Sequence, residues 1–244
     1  MIMVYWLHDH DIPQIELPKD KKILILFPHP DDECLTVGGT VPQLLKNNCE
    51  VTLVVLTKGE RGTDDAHLDP QLGEIRTREM EHSARILGVT HLIQSDFEDG
   101  NLNQLKVTLQ KYVHELLVQQ QPDIVITYDL SGMYGHEDHI ALSEAATFLM
   151  QKFFPEVMLW YASFPQKMYQ QVSLPDYMAT SDTFRSRIAS PTARIYTGLS
   201  TLTKIQALYA HESQRYSFKK AFPAWLPLWF VTSLFVYEYF SIQE

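Results

Sequence analysis

The sequence predicts an α/β protein of the Rossmann-like type, in which helices cover both faces of a mostly parallel sheet. Short apolar runs alternate with amphipathic stretches between residues 22 and 162, as expected of repeated βαβ units. The apolar runs lack the polar–apolar alternation of half-exposed strands, which favours strands buried on both faces. No repeat, linker or break in composition divides the chain, so we expect one domain over residues 1–244, with its core at 22–214.

Runs rich in leucine and β-branched residues predict strands at residues 22–27, 50–57, 91–94, 123–127 and 157–162. Amphipathic stretches predict helices at residues 40–47, 74–87, 105–118, 140–153 and 201–213. Residues 165–191 have an irregular pattern that predicts loops and edge strands. The apolar C-terminal segment 222–240 contains Pro227 and Glu238 and is too short to span a bilayer, so we expect it to pack on the core or at an interface.

Composition excludes several classes of protein. The formal net charge of −10 argues against nucleic acid as the main partner, and no basic cluster offsets it. The N-terminus has no signal-peptide pattern, and no transmembrane segment is predicted. Only two cysteines occur, so a disulfide scaffold is not expected and a reducing, cytoplasmic location is. The aromatic C-terminal segment leaves a homo-oligomer open.

Polar loops follow three of the predicted strands. Residues 29–33 follow the first strand, residues 57–62 follow the second, and residues 129–139 follow the fourth. Ligands of open parallel sheets bind beyond the carboxyl ends of the strands, so these loops are expected to meet at one edge.

Two of these loops carry unusual concentrations of histidine and acid. HPDDE, from His29 to Glu33, and HEDH, from His136 to His139, each have the composition of a metal-binding loop. Two imidazoles and one carboxylate form catalytic zinc sites, and His29, Asp32 and His139 could supply them. Iron(II) uses the same ligand types, so the metal is not fixed by them. Taken separately, each loop could also be a solvated acidic loop or a helix N-cap.

A longer series of motifs resembles one known family. The series runs in order PHPDDE with Gly38-Gly39, TKGERG, Arg76-x-x-Glu79, Asp99-Gly100, YGHEDH and His211-x-Ser213-Gln214. It resembles the LmbE-like/PIG-L family of metal-dependent N-deacetylases of N-acetylglucosamine derivatives. Zn²⁺, or Fe²⁺ or another divalent metal in its place, is the cofactor that this resemblance implies.

The resemblance also implies roles for residues. His29, Asp32 and His139 would bind the metal, and Asp31 would be the general base that activates its water. His136 would stabilise the oxyanion and protonate the leaving amine, while Tyr134 would polarise the acetyl carbonyl. Arg76 and Asp99 match positions that hold sugar hydroxyls.

Three further residues are expected to make supporting or structural contacts. Asp138 is expected either to orient a ligand imidazole or to cap a helix. Glu33 is expected to make a capping or supporting contact, and His211 to be structural or at the rim of the pocket.

The leading hypothesis is therefore a zinc-dependent hydrolase that removes acetyl from a small N-acetylated amino-sugar conjugate. A metal-dependent amidase acting on a larger amide or thiol conjugate would use the same residues. A different class, an inactive sugar- or nucleotide-binding module, is disfavoured by the intact set of metal and acid–base residues. No GxGxxG follows the first strand, which also disfavours a dinucleotide site.

Overall fold

The computed structural model describes residues 8–62, 71–165, 167, 186–220 and 225–243. Its strands are β1 (Lys22–Phe27), β2 (Glu50–Thr57), β3 (His91–Phe97), β4 (Ile124–Tyr128), β5 (Met158–Ser163), β6 (Ala193–Tyr196) and β7 (Tyr237–Gln243). They form one seven-stranded sheet in the order β3-β2-β1-β4-β5-β7-β6. The first five strands are mutually parallel, and β7 is antiparallel to both β5 and β6.

The helices are α1 (Asp32–Thr36), α2 (Val41–Lys46), α3 (Leu72–Leu87), α4 (Lys106–Gln120), α5 (Glu137–Phe153), α6 (Ser200–Ala210), α7 (Arg215–Lys220) and α8 (Leu228–Ser233). Shorter turns lie at Leu102–Leu105, Gly132–Gly135 and Glu212–Gln214. Alternate residues of β1 enter two separate hydrophobic clusters, Ile23 and Ile25 on one face and Leu24 and Leu26 on the other. Helices therefore cover both faces, and the predicted Rossmann-like α/β fold is confirmed.

Several predicted boundaries need correction. The third strand extends to Phe97, and the predicted helix 201–213 ends at Ala210 because a 3₁₀ turn follows it. Helix α5 begins at Glu137 instead of residue 140, so His139 lies in its first turn and not in a loop. The cause is a local cap, since the His136 ring accepts the backbone N–H of Asp138. Asp138 itself is not the N-cap.

The C-terminal segment contributes to the sheet. Strand β7 inserts between β5 and β6, and its Glu238 is buried. Its Oε1 and Oε2 accept the backbone N–H groups of Gly39 and Thr40, at 2.9 and 2.8 Å. Lys204 donates to Glu238 Oε1 at 2.8 Å, so this acidic residue of an apolar segment has a cationic partner.

Some predictions concern segments that the structure does not describe. Residues 63–70, 166 and 168–185, which include most of the irregular region 165–191, lie outside the described residues, as do 222–224 of the C-terminal segment. Among the described helices, none has the length and apolarity needed to cross a membrane.

Candidate metal centre and active site

The predicted site residues meet beyond the carboxyl ends of β1 and β4. His29 follows β1 directly, and the turn that contains Tyr134 connects β4 to α5. Because the two strands are adjacent and parallel, their following loops lie side by side. His29, Asp32 and His139 are all buried at this junction.

The two predicted ligand histidines face each other. Nδ1 of His29 lies 3.1 Å from Nε2 of His139. The other ring nitrogen of His139, Nδ1, lies 3.2 Å from the carbonyl oxygen of Gly132 and therefore donates its proton there. Nε2 of His29 lies 3.0 Å from Oδ1 of Asp99 and 3.3 Å from Oδ2 of Asp138, so it carries a proton too. The neutral rings thus direct two lone pairs at one another, an arrangement that needs a cation or a proton between them.

Asp32, the third predicted ligand, lies beside both histidines. Its Oδ1 lies 3.5 Å from Nε2 of His139, and its Oδ2 lies 3.7 Å from Nδ1 of His29. Ligand atoms bound to one tetrahedral zinc ion lie roughly 3.3 Å apart. The separations of 3.1, 3.5 and 3.7 Å among these three side chains therefore fit a small divalent cation.

The electrostatics of the cluster also fit a cation. Burial lowers the pKa of His29, but Asp138, Asp99 and Asp32 offset this effect and raise that pKa to about 10. Burial raises the pKa of Asp32 to about 7, in spite of the opposing effect of His29. His29 therefore retains a proton on Nδ1 at neutral pH, and a divalent cation bound there would displace it.

Tyr128 supports two of these three residues. Its hydroxyl donates to Oδ1 of Asp32 at 2.7 Å, and its ring stacks on that of His139 with 4.4 Å between centroids and 4° between planes. Burial raises the pKa of Tyr128 well above its usual value, so the hydroxyl stays a donor. Sequence reasoning did not identify this residue, although a tyrosine at the end of an otherwise aliphatic strand is a visible signal.

Asp31 lies beside the cluster and is more open than Asp32, with 15% of its side chain exposed against 3%. Its Oδ2 accepts from Nη2 of Arg76 at 3.1 Å. Asp31 occupies the N-cap position of α1 but makes no side-chain capping bond. The carboxylates of Asp31 and Asp32 contact different partners, although the two residues do not lie in an extended loop. The observed reason is that Asp31 has a left-handed backbone while Asp32 begins a helix.

Arg76 is almost fully buried, with 3% exposed, and its bonds in the structure are to protein groups. Besides Asp31 it donates to the carbonyl oxygens of Pro30 and Gly59. Gly59 has to be glycine for this contact, because a Cβ there would lie 2.4 Å from Cζ of Arg76. The TKGERG motif therefore makes room for Arg76. The predicted sugar-binding role of Arg76 stays a prediction.

The turn before α5 positions His136 and Tyr134. Gly132 has φ +64°, and a Cβ on it would lie 2.8 Å from Cβ of His139, so only glycine allows the turn to approach the helix. The Tyr134 hydroxyl lies 3.3 Å from Nε2 of His139. Nδ1 of His136 accepts the N–H of Asp138 at 3.2 Å, which leaves its Nε2 as the donor. Burial and the nearby His29 charge lower the pKa of His136.

Asp129 organises the same turn, and sequence reasoning missed it as well. Its Oδ1 accepts from the N–H groups of Ser131 and Met133, and its Oδ2 accepts from the N–H of Ala189 at 2.8 Å. Burial raises the pKa of Asp129, an effect that these bonds oppose. The signal was its position directly after β4, but an acidic residue there does not reveal which amides it will accept.

Asp99 and Asp138 both contact His29. Oδ2 of Asp99 also accepts the N–H of Arg61, and Asp138 accepts the N–H groups of Gly100 and Leu102. Contact with the ring of His29 agrees with the first of the two expectations for Asp138, orientation of a ligand imidazole. Asp99 was predicted to hold a sugar hydroxyl. That role stays a prediction, and the contact that the structure describes is with the same imidazole.

Comparison with known families matches residues 24–150 to the model of the PIG-L family, described as GlcNAc-PI de-N-acetylase. The match runs from within β1 to near the end of α5, and it includes every predicted catalytic, substrate-binding and metal-binding residue. The chain belongs to the PIG-L family.

About a third of the aligned positions are identical between this chain and the curated relatives. Identity is 33% over 138 residues with a probable N-acetyl-alpha-D-glucosaminyl L-malate deacetylase 2 of Bacillus anthracis, covering 53% of this chain and 59% of the relative. It is 35% over 121 residues with a diacetylchitobiose deacetylase of Thermococcus kodakarensis, covering 49% and 45%. The matches thus span about half the length of these relatives.

Solved structures extend the similarity of fold over most of the chain. An N,N'-diacetylchitobiose deacetylase of Pyrococcus horikoshii gives a TM-score of 0.62 at 24% identity, covering 91% of this chain and 84% of that one. A 4-carboxy-2-hydroxymuconate hydratase of Pseudomonas putida gives 0.58 at 14% identity, covering 92% and 96%. Because a hydratase shares the fold, the reaction has to be argued from the site.

Proposed function

We propose that this PIG-L protein, acting as one catalytic domain, is a metal-dependent hydrolase that removes acetyl from an N-acetylated amino sugar. The observation that carries the proposal is the convergence of two imidazole lone pairs and one carboxylate, with Asp31 beside them. This combination provides a cation site and a separate proton acceptor, which are the two requirements for hydrolysing an unactivated amide. The deacetylase activities of the curated relatives support an amino-sugar substrate.

The metal ligands in this proposal are His29 through Nδ1, His139 through Nε2, and Asp32. Zn²⁺ is the proposed ion, and Fe²⁺ would suit the same ligand types. When bound, such an ion acts as a Lewis acid on the amide oxygen and lowers the pKa of water toward about 7. His136 also offers a ring nitrogen within 4.8 Å of those of His29 and His139, so a three-histidine set is the competing assignment.

The chain's own groups would move the protons. Asp31 accepts a proton from the attacking water as the new C–O bond forms. Arg76 keeps the carboxylate of Asp31 in place. Nε2–H of His136 and the hydroxyl of Tyr134 donate to the oxygen that gains charge. The C–N bond then breaks as the leaving nitrogen takes the Nε2 proton of His136, and the proton that Asp31 took from the water replaces it on His136, so that acetate and a free amine are released.

Arg76 and Asp99 can be assigned by kinetics. If Arg76 and Asp99 bind sugar hydroxyls equally in the ground state and in the transition state, substituting either residue should raise KM. Their contacts with Asp31 and His29 support a different role, orientation of these two residues, and loss of that role would lower kcat. Conservative variants, Arg76→Lys and Asp99→Asn, would separate the two roles.

The remaining alternatives concern the leaving group and the class of protein. A metal-dependent amidase that cuts a larger amide or thiol conjugate would use the same atoms. An inactive binding module would keep the metal without hydrolysing any amide. A cytoplasmic location is part of the proposal and is supported by the two cysteines, Cys34 and Cys49, which are both buried and unpaired.

The test is acetate release from a panel of N-acetylglucosamine conjugates, with metal content measured on the same samples. We expect turnover by the metal-loaded protein and a loss of about 10²- to 10⁴-fold in Asp31→Ala at unchanged metal content. Full metal occupancy without hydrolysis of any conjugate would reject the deacetylase in favour of a binding module. Unchanged turnover in Asp31→Ala would remove Asp31 from the role of base.

A further inference from the structure

Glu33 has no part in the proposed reaction, yet it is fully buried directly behind Asp31. Its Oε2 accepts the backbone N–H of Asp31 at 2.9 Å. Its Oε1 accepts from Oγ of Ser83 at 2.5 Å and from Nε2 of His211 at 2.8 Å. Cys34 Sγ approaches the same oxygen at 3.1 Å. Donors from three separate parts of the chain therefore hold this carboxylate.

The backbone of Asp31 needs such a restraint. Its φ of 102° and ψ of −22° lie in a region that side chains other than glycine adopt only at a cost. Strained residues of this kind persist where the surrounding structure over-determines them, and they concentrate at functional sites. The contact from Glu33 to the N–H of Asp31 restrains the backbone, while Arg76 restrains the side chain.

His211 completes the restraint from a distant part of the sequence. It lies just after α6 and is fully buried, as are Glu33 and Ser83. Within the described part of the chain, its Nδ1 has no hydrogen-bond partner, so Nε2 is the nitrogen that acts on Glu33. Because Nε2 donates in both the neutral and the charged ring, the contact does not require a particular protonation state.

We propose that Glu33, held by Ser83 and His211, is a positioning residue that keeps Asp31 in its left-handed conformation with its carboxylate beside the metal centre. The effect on catalysis rests on the proposed function, whereas the effect on the backbone does not. Glu33, Cys34 and His211 also lie within metal-ligand distance of one another. The hydrogen bonds already made to both oxygens of Glu33 favour positioning over a second metal.

Glu79 provides a matched control. Like Glu33 it is a buried carboxylate, but it lies on α3. It accepts from the N–H and Oγ of Ser213 at 2.8 and 2.7 Å. It therefore holds the same segment that carries His211, but its described bonds do not include Asp31. A purely structural role would make Glu33→Gln and Glu79→Gln behave alike.

The backbone effect is tested by thermal unfolding of the full, metal-loaded chain. Asp31→Gly and Asp31→Ala both remove the carboxylate, but only glycine relieves a positive φ. In the wild-type and Glu79→Gln backgrounds we expect the glycine variant to melt about 2–4 °C above the alanine variant. In the Glu33→Gln background this difference should narrow, because glutamine has one acceptor oxygen in place of the two that Glu33 offers to Asp31, Ser83 and His211. An undiminished difference there would overturn the proposal.

If Glu33→Gln does not fold, Ser83→Ala takes its place. This variant removes one of the donors to Glu33 without burying a new polar group. Ser83→Ala should narrow the difference in melting temperature between Asp31→Gly and Asp31→Ala. An unchanged difference in melting temperature would again overturn the proposal.

The catalytic effect is tested by acetate release. Glu33→Gln should lower kcat about 10²-fold, as expected of a misplaced catalytic group, with KM and metal content unchanged. In the Asp31→Ala background it should cause no further loss, whereas Glu79→Gln should have the same effect in both backgrounds. A multiplicative loss from Glu33→Gln would contradict action through Asp31. If the wild type releases no acetate, the proposed function fails, and the melting temperatures alone still decide the positioning role.

Discussion

Two buried charged clusters of this protein differ in how their charges are balanced. At the Lys204–Glu238 pair, one cation meets one carboxylate at 2.8 Å, and backbone N–H groups occupy the remaining acceptor positions. At the proposed metal centre, Asp31, Asp32, Asp99 and Asp138 converge, and Arg76 is the one guanidinium whose ion pair with them is described. The first cluster is complete within the chain, whereas the second has an excess of acceptors.

This difference separates structural from functional burial of charge. A buried charge costs several kcal/mol of stability unless it is paired. A cluster with unpaired charges therefore persists only if a bound ion or ligand balances the charge, or if the rest of the fold is stable enough to offset that cost. Four variants test this comparison, and they are considered from the largest expected effect to the smallest.

His139→Ala should abolish stoichiometric metal binding, because it removes one of the two facing lone pairs. His136→Ala is the matched control, and it should keep the metal while losing turnover. Elemental analysis after dialysis against a weak chelator measures both. Loss of metal from both variants would favour the three-histidine set of His29, His136 and His139, whereas metal retained by His139→Ala would exclude both ligand sets.

Glu238→Gln should lower the free energy of unfolding by about 3–5 kcal/mol, since it leaves the buried Lys204 charge without its partner. Adding Lys204→Met should restore part of this loss, because no unpaired charge then remains. Denaturant titration measures the stability of each variant. Metal content should be unchanged in both, and its loss would show that the two clusters are not independent.

Tyr128→Phe should weaken metal affinity about 10- to 100-fold, as is typical when a group that orients a metal ligand is lost. The phenyl ring keeps the stacking on His139, so the variant tests the hydrogen bond to Asp32. Tyr161→Phe removes a comparable buried hydroxyl bond, to Thr147, away from the centre. Competition with a chelator of known affinity should show no change for this control, and equal losses in both variants would indicate a general packing effect.

His8→Gln should change how stability depends on pH under acid conditions, and this is the smallest of the expected effects. Burial lowers the pKa of His8 below 6.5, and the positive groups His10, Arg194 and Lys204 act in the same direction. The folded state therefore resists protonation of His8. The contribution of His8 to the free energy of unfolding is fully present above pH 6.5 and is lost as the pH falls below that value. The variant should show a shallower decline in unfolding free energy over that range. Identical pH dependence would exclude His8 as a contributor.

Much of the fold could be predicted because periodicity reports burial. Fully apolar runs predicted the five parallel strands, and acids and histidines after two of them predicted that these side chains converge at one edge of the sheet. The antiparallel strands could not be predicted in the same way. β7 combines tyrosines with a buried glutamate, and its burial depends on Lys204 and on backbone amides near Gly39, which are distant in sequence.

The site shows the same limit. The proximity of His29, Asp32 and His139 was predictable because their residue types are typical of a metal site and their loops follow adjacent strands, and their role as metal ligands stays a prediction. The roles of Tyr128, Glu33 and Asp129 depend on which donor or acceptor lies opposite them. Glu33 contacts His211 across 178 positions, and no local pattern encodes that contact. The start of α5 was misplaced because an imidazole, an uncommon cap, occupies the N-cap position.

The position of β7 has a consequence for the order of assembly. β6 hydrogen-bonds to β7, so it cannot join the sheet until β7 has been synthesised and inserted. The N–H of Gly39, in the turn that follows the PHPDDE motif, finds its acceptor on a residue 199 positions later. Closing contacts of such separation is slow, and N-terminal parts of a chain emerge first from the ribosome. We therefore expect the nascent chain to collapse around β1 to β5 early and to stabilise the loop that carries His29 late, so that metal is acquired near the end of folding.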